Sequence, residues 1–166
     1  YFNDGNRKPQ RSSYNNAHAY LSAPYGIYKT SNGYIAIAMT PLPQLGELLD
    51  LNSIKDLHDQ KEWFTKRDEI KKDIGDWIEK QTTEHWLSIL EPADIWCAKV
   101  LDWETMVKHE GFKILDMVQR IKRDDGLDIE TLRCPIKIDG EIFKSSKAAP
   151  KIGNDNNSIM KEFSIS

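Results

Sequence analysis

The side chains that proteins most often use for metal binding or nucleophilic catalysis are few in this sequence and lie far apart. Its four histidines are His18, His58, His85 and His109. None has a second histidine or a cysteine three or four residues away, the spacing that would place two ligands on one helix face. Cys97 and Cys134 form no C-x-x-C pair, which indicates two reduced, packed thiols or, as the alternative, one disulfide. No metal site is predicted.

Motifs for other chemistry are also missing. The chain has no G-x-S-x-G turn, no phosphate-binding G-x-x-x-x-G-K-[ST] loop, no G-x-G-x-x-G and no H-E-x-x-H. Its 23 basic and 26 acidic side chains give a net charge of -3, which argues against a nucleic-acid partner. No apolar run approaches the roughly 20 residues that span a bilayer, so no membrane partner is predicted. A hydrophobic fraction of 39% is enough for a folded core.

Three segments carry more information, and they occur in a recognisable order. Residues 22–38 are SAPYGIYKTSNGYIAIA; residues 82–105 begin with TTEHW and end with ADIWCAKVLDWET; residues 134–153 contain CPIKI and AAPKIG. In content, order and spacing these segments resemble the C-terminal half of the class III CoA-transferases, the CaiB/BaiF family. The resemblance covers most of the chain, from about residue 11 to about residue 160.

The resemblance implies a covalent mechanism in which coenzyme A moves from an acyl-CoA to a free carboxylic acid. An aspartate of the family attacks the thioester to give a mixed anhydride, the released CoA thiolate converts this to an aspartyl-CoA thioester, and the acceptor carboxylate completes the exchange. No aspartate here matches that nucleophile. We therefore expect no catalytic residue in this chain, and a full-length enzyme whose N-terminal Rossmann-like CoA-binding half is absent here. Coenzyme A thioester would be a substrate rather than a tightly bound cofactor, and this chain alone would be inactive.

The resemblance also assigns a loop that encloses the reactive intermediates and keeps water away from them. The matching positions before the first predicted strand are Ser22, Ala23, Pro24, Tyr25 and Gly26. The glycine-rich form of this loop is replaced here by Ser22 and Ala23. A plain lead-in to a hairpin is therefore the alternative to a substrate loop.

Two other functions stay open. The same family includes α-methylacyl-CoA racemases, which carry a glutamate shortly after the strand that matches residues 35–38. Pro41 stands at that position, and a proline side chain cannot move a proton, which favours a transferase. The third possibility is a non-catalytic α+β interaction module that has the family's small domain.

The elements that must position these segments are predicted from periodicity to be mixed, of the α+β class. Strands at residues 25–29 and 34–38 flank an Asn32-Gly33 hairpin signal. Amphipathic helices follow after Pro41, over residues 60–81, and after a cap at Thr82. Residues 95–100 are predicted to be a buried strand, and Asp102 to cap a helix through Lys108.

The rest of the chain is predicted to be a β-rich arm. Strand-like runs at residues 112–121 and 129–138 are joined by a turn at residues 123–126, a second turn lies at residues 138–142, and residues 144–166 form a polar tail. We assign residues 1–20 to a linker or outgoing arm, 21–108 to a small α+β domain and 109–166 to a returning arm. The resemblance implies an interlocked homodimer in the cytoplasm. The arm's apolar residues predict burial against a partner: Phe112, Ile114, Leu115, Val118, Ile129, Leu132, Ile136 and Ile138.

Overall fold

The computed structural model describes residues 5–8, 10–123 and 125–165. The chain divides into two compact units, Tyr1–Asp102 and Trp103–Ser166. Both contain helices and antiparallel strands, so the predicted α+β class is confirmed. The finer division at residues 20 and 108 stays a prediction. Some positions of the predicted segments lie outside the described residues: 1–4 and 9 in the linker, 124 in the first turn, and 166 in the tail.

The first unit contains a three-stranded antiparallel sheet and five α-helices among its described residues. The elements are β1 (Gly26–Thr30), β2 (Gly33–Ile37), α1 (Leu42–Leu49), α2 (Asn52–Lys55), α3 (Gln60–Thr65), α4 (Arg67–Ile78), α5 (Thr83–Leu90), a 3-10 helix (Glu91–Ala93) and β3 (Cys97–Lys99). The strand order is β1-β2-β3, so β2 is central.

The predicted hairpin is present, but its turn is held by a different interaction from the one that the Asn-Gly pair predicts. Thr30 pairs with Gly33, so the loop is Ser31 and Asn32, and neither these residues nor Gly33 adopts a positive φ. Instead, the Asn32 side chain accepts a hydrogen bond from the Thr83 backbone N–H at 2.8 Å. The hairpin tip is therefore fixed by the first turn of α5 rather than by glycine conformation.

The same side chain contacts a carboxylate at the start of α5. Asn32 donates to Glu84 at 2.7 Å, and Lys99 of β3 donates to the other carboxylate oxygen at 2.7 Å. The hydrogen bonds from Lys99 and then Asn32 lower the pKa of Glu84 to about 2. The Thr30 and Thr83 hydroxyls, both buried, lie 2.7 Å apart and share a hydrogen bond. Thr82 caps α5 as predicted, since its hydroxyl accepts from the His85 N–H at 3.1 Å.

The core of the first unit lies between one face of the sheet and the helices. Strand β1 alternates buried and exposed residues, as expected for a strand with one covered face. Its inward Tyr28 packs with Ile35 and Ile37 of β2 and with one stripe of α4, which is Ile70, Ile74 and Ile78. The predicted single helix over residues 60–81 is two helices, because the backbone of Lys66 leaves the helical conformation where α3 ends and α4 begins.

Strand β3 differs from its prediction as a buried strand. It covers only three residues, pairs with β2 along one edge, and leaves Ala98 and Lys99 exposed. Trp96, immediately before it, is 73% exposed. The largely apolar residues 95–100 predicted a buried strand, whereas β3 is an edge strand, and one side of an edge strand has no pairing partner.

The second unit consists of short helices and two small hairpins. Its elements are α6 (Trp103–Lys108), α7 (Glu110–Ile114), β4 (Val118–Lys122), β5 (Asp128–Leu132), β6 (Lys137–Ile138), β7 (Glu141–Ile142) and α8 (Asn156–Glu162). The pairing of β4 with β5 and the tight turn between β6 and β7 match the prediction, and Asp139 and Gly140 both adopt the positive φ of that turn. The strand predicted from residue 112 begins only at Val118, after a helix, and the polar tail contains α8.

A buried arginine organises the second unit. Arg133, at the end of β5, is 3% exposed and donates to three backbone carbonyls: Asp116 at 2.7 Å, Leu115 at 2.5 Å and Cys134 at 2.5 Å. Cys134 itself is exposed, whereas Cys97 of the first unit is partly buried; both thiols are free. The prediction of two packed thiols is therefore wrong for Cys134, because few side chains in this unit are covered.

Candidate functional site

The predicted substrate loop lies at one edge of the three-stranded sheet, at the start of β1. Because the strands are antiparallel, the end of β2 and the start of β3 lie at this same edge. Three connecting segments meet there: residues 20–25, residues 38–41 and residues 93–96. The topology thus brings two of the three sequence segments that carry the family resemblance to one place.

The loop is anchored by its backbone. The Ala23 N–H donates to the Trp63 carbonyl at 3.0 Å, and the hydroxyl of the fully buried Tyr28 donates to the Pro24 carbonyl at 2.6 Å. The Ala23–Pro24 peptide bond is cis. Burial raises the pKa of the Tyr28 phenol above its ordinary value, so it remains a hydrogen-bond donor. The loop is therefore fixed to both α3 and the sheet.

Ser22, Ala23 and Pro24 line a groove of about 420 Å³ that we call the loop groove. Ala23 and Pro24 are buried in its wall, and Ser22 is partly exposed. The opposite wall comes from Met39 and Thr40 after β2 and from Gln60, Trp63 and Phe64 of α3, and Tyr20 and Leu21 complete the lining. The exposed apolar side chains here are Tyr20 at 41%, Met39 at 67% and Phe64 at 40%.

Tyr25 and Gly26 line a second groove, of about 590 Å³, on the outward face of the sheet; we call it the sheet groove. Its floor includes Ala36 and Ala98, and Trp96 stands at its side. The five predicted loop residues therefore divide between two neighbouring grooves. Ser22, Ala23 and Pro24 face the first groove, and Tyr25 and Gly26 face the second.

A third groove, of about 280 Å³, joins the first two along the sheet edge. It shares Met39 and Thr40 with the loop groove and Trp96 with the sheet groove. Pro41, which stands where a racemase would carry its glutamate, lines this third groove, as does Asp94. Among the described residues that line the three grooves, Asp94 is the only charged one.

The chemistry available at this edge is that of an apolar enclosure. Among the described residues, no group of three or more His, Cys, Asp or Glu side chains could hold a metal ion. Burial, and to a smaller extent Glu91, raises the pKa of the Cys97 thiol, which works against thiolate formation beside the sheet groove. In the described part of the chain, no helix is long and apolar enough to cross a membrane.

The sequence did not single out Met39, Trp63, Phe64 or Trp96 as site residues. Trp63 lies within the helix predicted over residues 60–81, and its indole donates to the Leu57 carbonyl at 2.7 Å. Knowledge that β2 pairs with both β1 and β3 would have pointed to Met39 and Trp96. This pairing places the segments 38–41 and 93–96 beside the loop.

Comparison with known protein families shows where the chain belongs. The model of CoA-transferase family III matches residues 1–156, and the chain belongs to this family. No curated protein matches the chain.

Solved structures show the same fold. The Rv3272 protein of Mycobacterium tuberculosis, in the crystal structure of an aspartate-to-alanine variant, matches with a TM-score of 0.61 at 19% identity, over 82% of this chain and 39% of that one. A CaiB/BaiF family protein from Brucella suis matches with a TM-score of 0.59 at 21% identity, over 98% of this chain and 42% of that one. The chain therefore spans about two fifths of the length of the structures that it resembles.

Proposed function

We propose that this chain forms part of the active-site wall of an acyl-CoA:carboxylate CoA-transferase whose nucleophilic aspartate lies outside the chain. Its substrates are an acyl-CoA thioester and a free carboxylic acid, and coenzyme A is carried between them rather than held as a resident cofactor. The observation that carries the proposal is the anchored Ser22–Ala23–Pro24 wall of the loop groove in a member of CoA-transferase family III.

The lining of the grooves suits enclosure rather than proton transfer. Mixed anhydrides and thioesters hydrolyse when water reaches them, and an apolar wall with a fixed backbone excludes water. The racemase-type reaction of the family would use a titratable side chain at the position after β2. Pro41 has none, which favours transfer over the racemase-type reaction.

The partition between transfer and hydrolysis tests this proposal. In the whole protein that contains this chain, we expect CoA transfer from acyl-CoA to carboxylic acids, measured by mass spectrometry of the thioesters. Tyr20→Ser opens the loop groove and should raise the ratio of hydrolysis to transfer several-fold. Tyr34→Ser is the matched control, because Tyr34 is also a half-exposed tyrosine but lines none of the three grooves.

Two outcomes would contradict the proposal. Absence of any CoA transfer by the whole protein would remove the transferase assignment. An unchanged hydrolysis ratio in Tyr20→Ser, or an equal rise in Tyr34→Ser, would remove the role of the loop groove as an enclosure.

The second unit supports a homodimer as part of the same proposal. Six of the eight apolar residues predicted to meet a partner are exposed in this chain, among them Ile114 at 72%, Leu132 at 60% and Ile136 at 63%. Apolar surface of this extent normally lies against protein. We propose that a second copy covers it in a cytoplasmic enzyme. A monomeric whole protein in sedimentation at high concentration would contradict the dimer.

A further inference from the structure

The sheet groove has a floor made of a single row of apolar side chains across all three strands. Ile27 of β1 pairs directly with Ala36 of β2, and Ala36 pairs with Ala98 of β3. Directly paired residues point to the same face of a sheet, here the outward one. The side chains of Ala36 and Ala98 are single methyl groups, so they leave space above β2 and β3. Ile27 of β1, which is 43% exposed, forms the side of the groove.

The groove is continuous with the predicted substrate loop. Tyr25 and Gly26 belong to both, and Ala38, whose N–H donates to the Trp96 carbonyl at 2.8 Å, continues the floor toward the end where the three loops meet. A molecule reacting at the loop could therefore extend one substituent along the outward face of the sheet. The volume of about 590 Å³ lies within the roughly 300–1,000 Å³ of small-molecule sites.

The charges around the groove select the nature of that substituent. None of the described residues that line the sheet groove is charged, and the adjoining groove is lined by the carboxylate of Asp94. Lys29 lies two residues from Ile27 on the same face of β1, but it is paired with Glu79 at 2.5 Å. A substituent carrying its own carboxylate would lose hydration without gaining a cationic partner and would be repelled by Asp94. A hydrocarbon chain instead gains by covering Ile27, Ala36 and Trp96.

We propose that the sheet groove binds the acyl group of the CoA thioester, and that this acyl group is an uncharged aliphatic chain of medium length. The inference rests on the proposed transferase function and adds its substrate class. It makes Ala36 and Ala98 specificity-determining residues, since their small size leaves the space that the chain occupies.

Binding of two unreactive thioethers to the whole protein tests the inference without any need for turnover. The probes are S-octyl-CoA and S-(3-carboxypropyl)-CoA, compared by titration calorimetry. We expect S-octyl-CoA to bind at least about tenfold more tightly, the order of discrimination that a few methylenes provide in an apolar pocket. Equal affinities, tighter binding of the carboxylated probe, or no binding of either would overturn the inference.

Variants that fill the sheet groove test whether the preference for S-octyl-CoA arises there. Ala36→Leu and, on the neighbouring strand, Ala98→Leu should each remove most of the preference for S-octyl-CoA and leave the affinity for S-(3-carboxypropyl)-CoA unchanged. Tyr34→Leu is the matched control, because Tyr34 lies on the same strand and the same face two residues away but outside the groove.

The variants also separate this inference from the proposed function. The groove assignment would be overturned if the preference for S-octyl-CoA survived both Ala36→Leu and Ala98→Leu. It would also be overturned if Tyr34→Leu removed that preference, even if the protein transfers CoA. An octyl preference that both groove-filling variants remove would uphold the assignment even if the whole protein transfers no CoA, and the transferase proposal alone would then fail.

Discussion

Two cationic side chains, Arg67 and Lys71, lie one turn apart on α4, and both are buried, which is rare for cations. Arg67 is 3% exposed, and its guanidinium donates to the backbone carbonyls of Phe64 and Gln10. Lys71 is fully buried, and its ammonium has no hydrogen-bond partner among the described residues. Burial lowers the pKa of Lys71 below its ordinary value of 10.5, while nearby Asp68 acts in the opposite direction and Arg67 adds to the lowering.

Replacing this lysine should stabilise the fold. We expect Lys71→Met to raise the free energy of unfolding at pH 7 by about 1–3 kcal/mol, because a buried donor without a partner carries its full desolvation cost. The unfolded chain binds a proton at Lys71 up to about pH 10.5, whereas the folded chain releases it at lower pH. The wild type therefore gains stability relative to the variant as the pH rises toward 10.5. Urea unfolding at pH 7 and pH 10 measures the difference.

The neighbouring lysine serves as the control for this experiment. Lys72 is 65% exposed and pairs with Asp76 on the same helix at 2.5 Å, so Lys72→Met should change stability by less than about 1 kcal/mol. A destabilising Lys71→Met, or a gain that is the same at both pH values, would show that Lys71 is not held as an unpaired, depressed ammonium.

At the scale of elements, helix α4 packs in the hydrophobic core and also binds the segment that precedes the sheet. Asp68 accepts hydrogen bonds from the Ser12 hydroxyl, the Ser13 hydroxyl at 2.6 Å and the Ser13 N–H at 2.8 Å. The carbonyl of Asn16 accepts from the Ile27 N–H of β1 at 2.7 Å. The stretch from residue 10 to residue 20, which the sequence predicted only as a polar linker, is thus attached to a helix and to the outer edge of the sheet.

Removing the carboxylate should release this stretch. The two serines lower the pKa of Asp68 well below its ordinary value of 3.8. The stability that these contacts contribute is therefore complete above pH 3.8, declines below it, and is lost as the pH falls through the lowered pKa. At pH 7, Asp68→Ala should weaken local closure by about 1–2 kcal/mol, which corresponds to about 5- to 30-fold faster tryptic cleavage after Arg11. Glu69→Ala, an exposed carboxylate on the same helix, is the control. Cleavage that is equally slow in both variants would contradict the role of Asp68.

Local patterns predicted the elements whose causes are local. The Thr82 cap, the hairpin at residues 138–142 and the apolar stripe of α4 depend on residues a few positions apart, and all three are present. The break at Lys66, the exposure of β3 and the attachment of residues 10–20 depend on partners far along the chain. For the candidate site, the resemblance predicted the loop at residues 22–26, and its role stays a prediction. Met39 and Trp96 are placed beside it by the pairing of distant strands, and Phe64 by the packing of α3 against the loop, which local patterns do not reveal.

At the scale of the whole molecule, burial is distributed unequally between the two units. Every buried hydrophobic side chain among the described residues lies between Ala23 and Ile95, in the first unit. In the second unit, the described hydrophobic side chains are at most partly covered, and the buried residue is Arg133. The first unit therefore has a core of its own, whereas the second depends on hydrogen bonds and hairpin pairing.

This difference predicts opposite behaviour when the units are prepared separately. Residues 1–102 should unfold in urea with one cooperative transition, since hydrophobic burial supplies most of the cooperativity of a small domain. Residues 103–166 should show no cooperative transition as a monomer, because too little apolar surface is removed from water. Circular dichroism during urea titration measures both. A sharp unfolding transition of the monomeric fragment 103–166 would show that this unit folds without another protein surface to cover its apolar side chains.

The bonding of Arg133 has a consequence for how far the sequence of the second unit can drift. All three of its partners are backbone carbonyls, and a backbone carbonyl is present whatever side chain a position carries. Substitutions at Leu115, Asp116 and Cys134 therefore leave the arginine's partners in place, whereas no other side chain supplies a planar fork that reaches all three. In a saturation library of these positions in the whole protein, position 133 should be nearly invariant among folded variants, and positions 115 and 134 should remain permissive. Position 116, whose φ is 46°, should favour Asp, Asn and Gly.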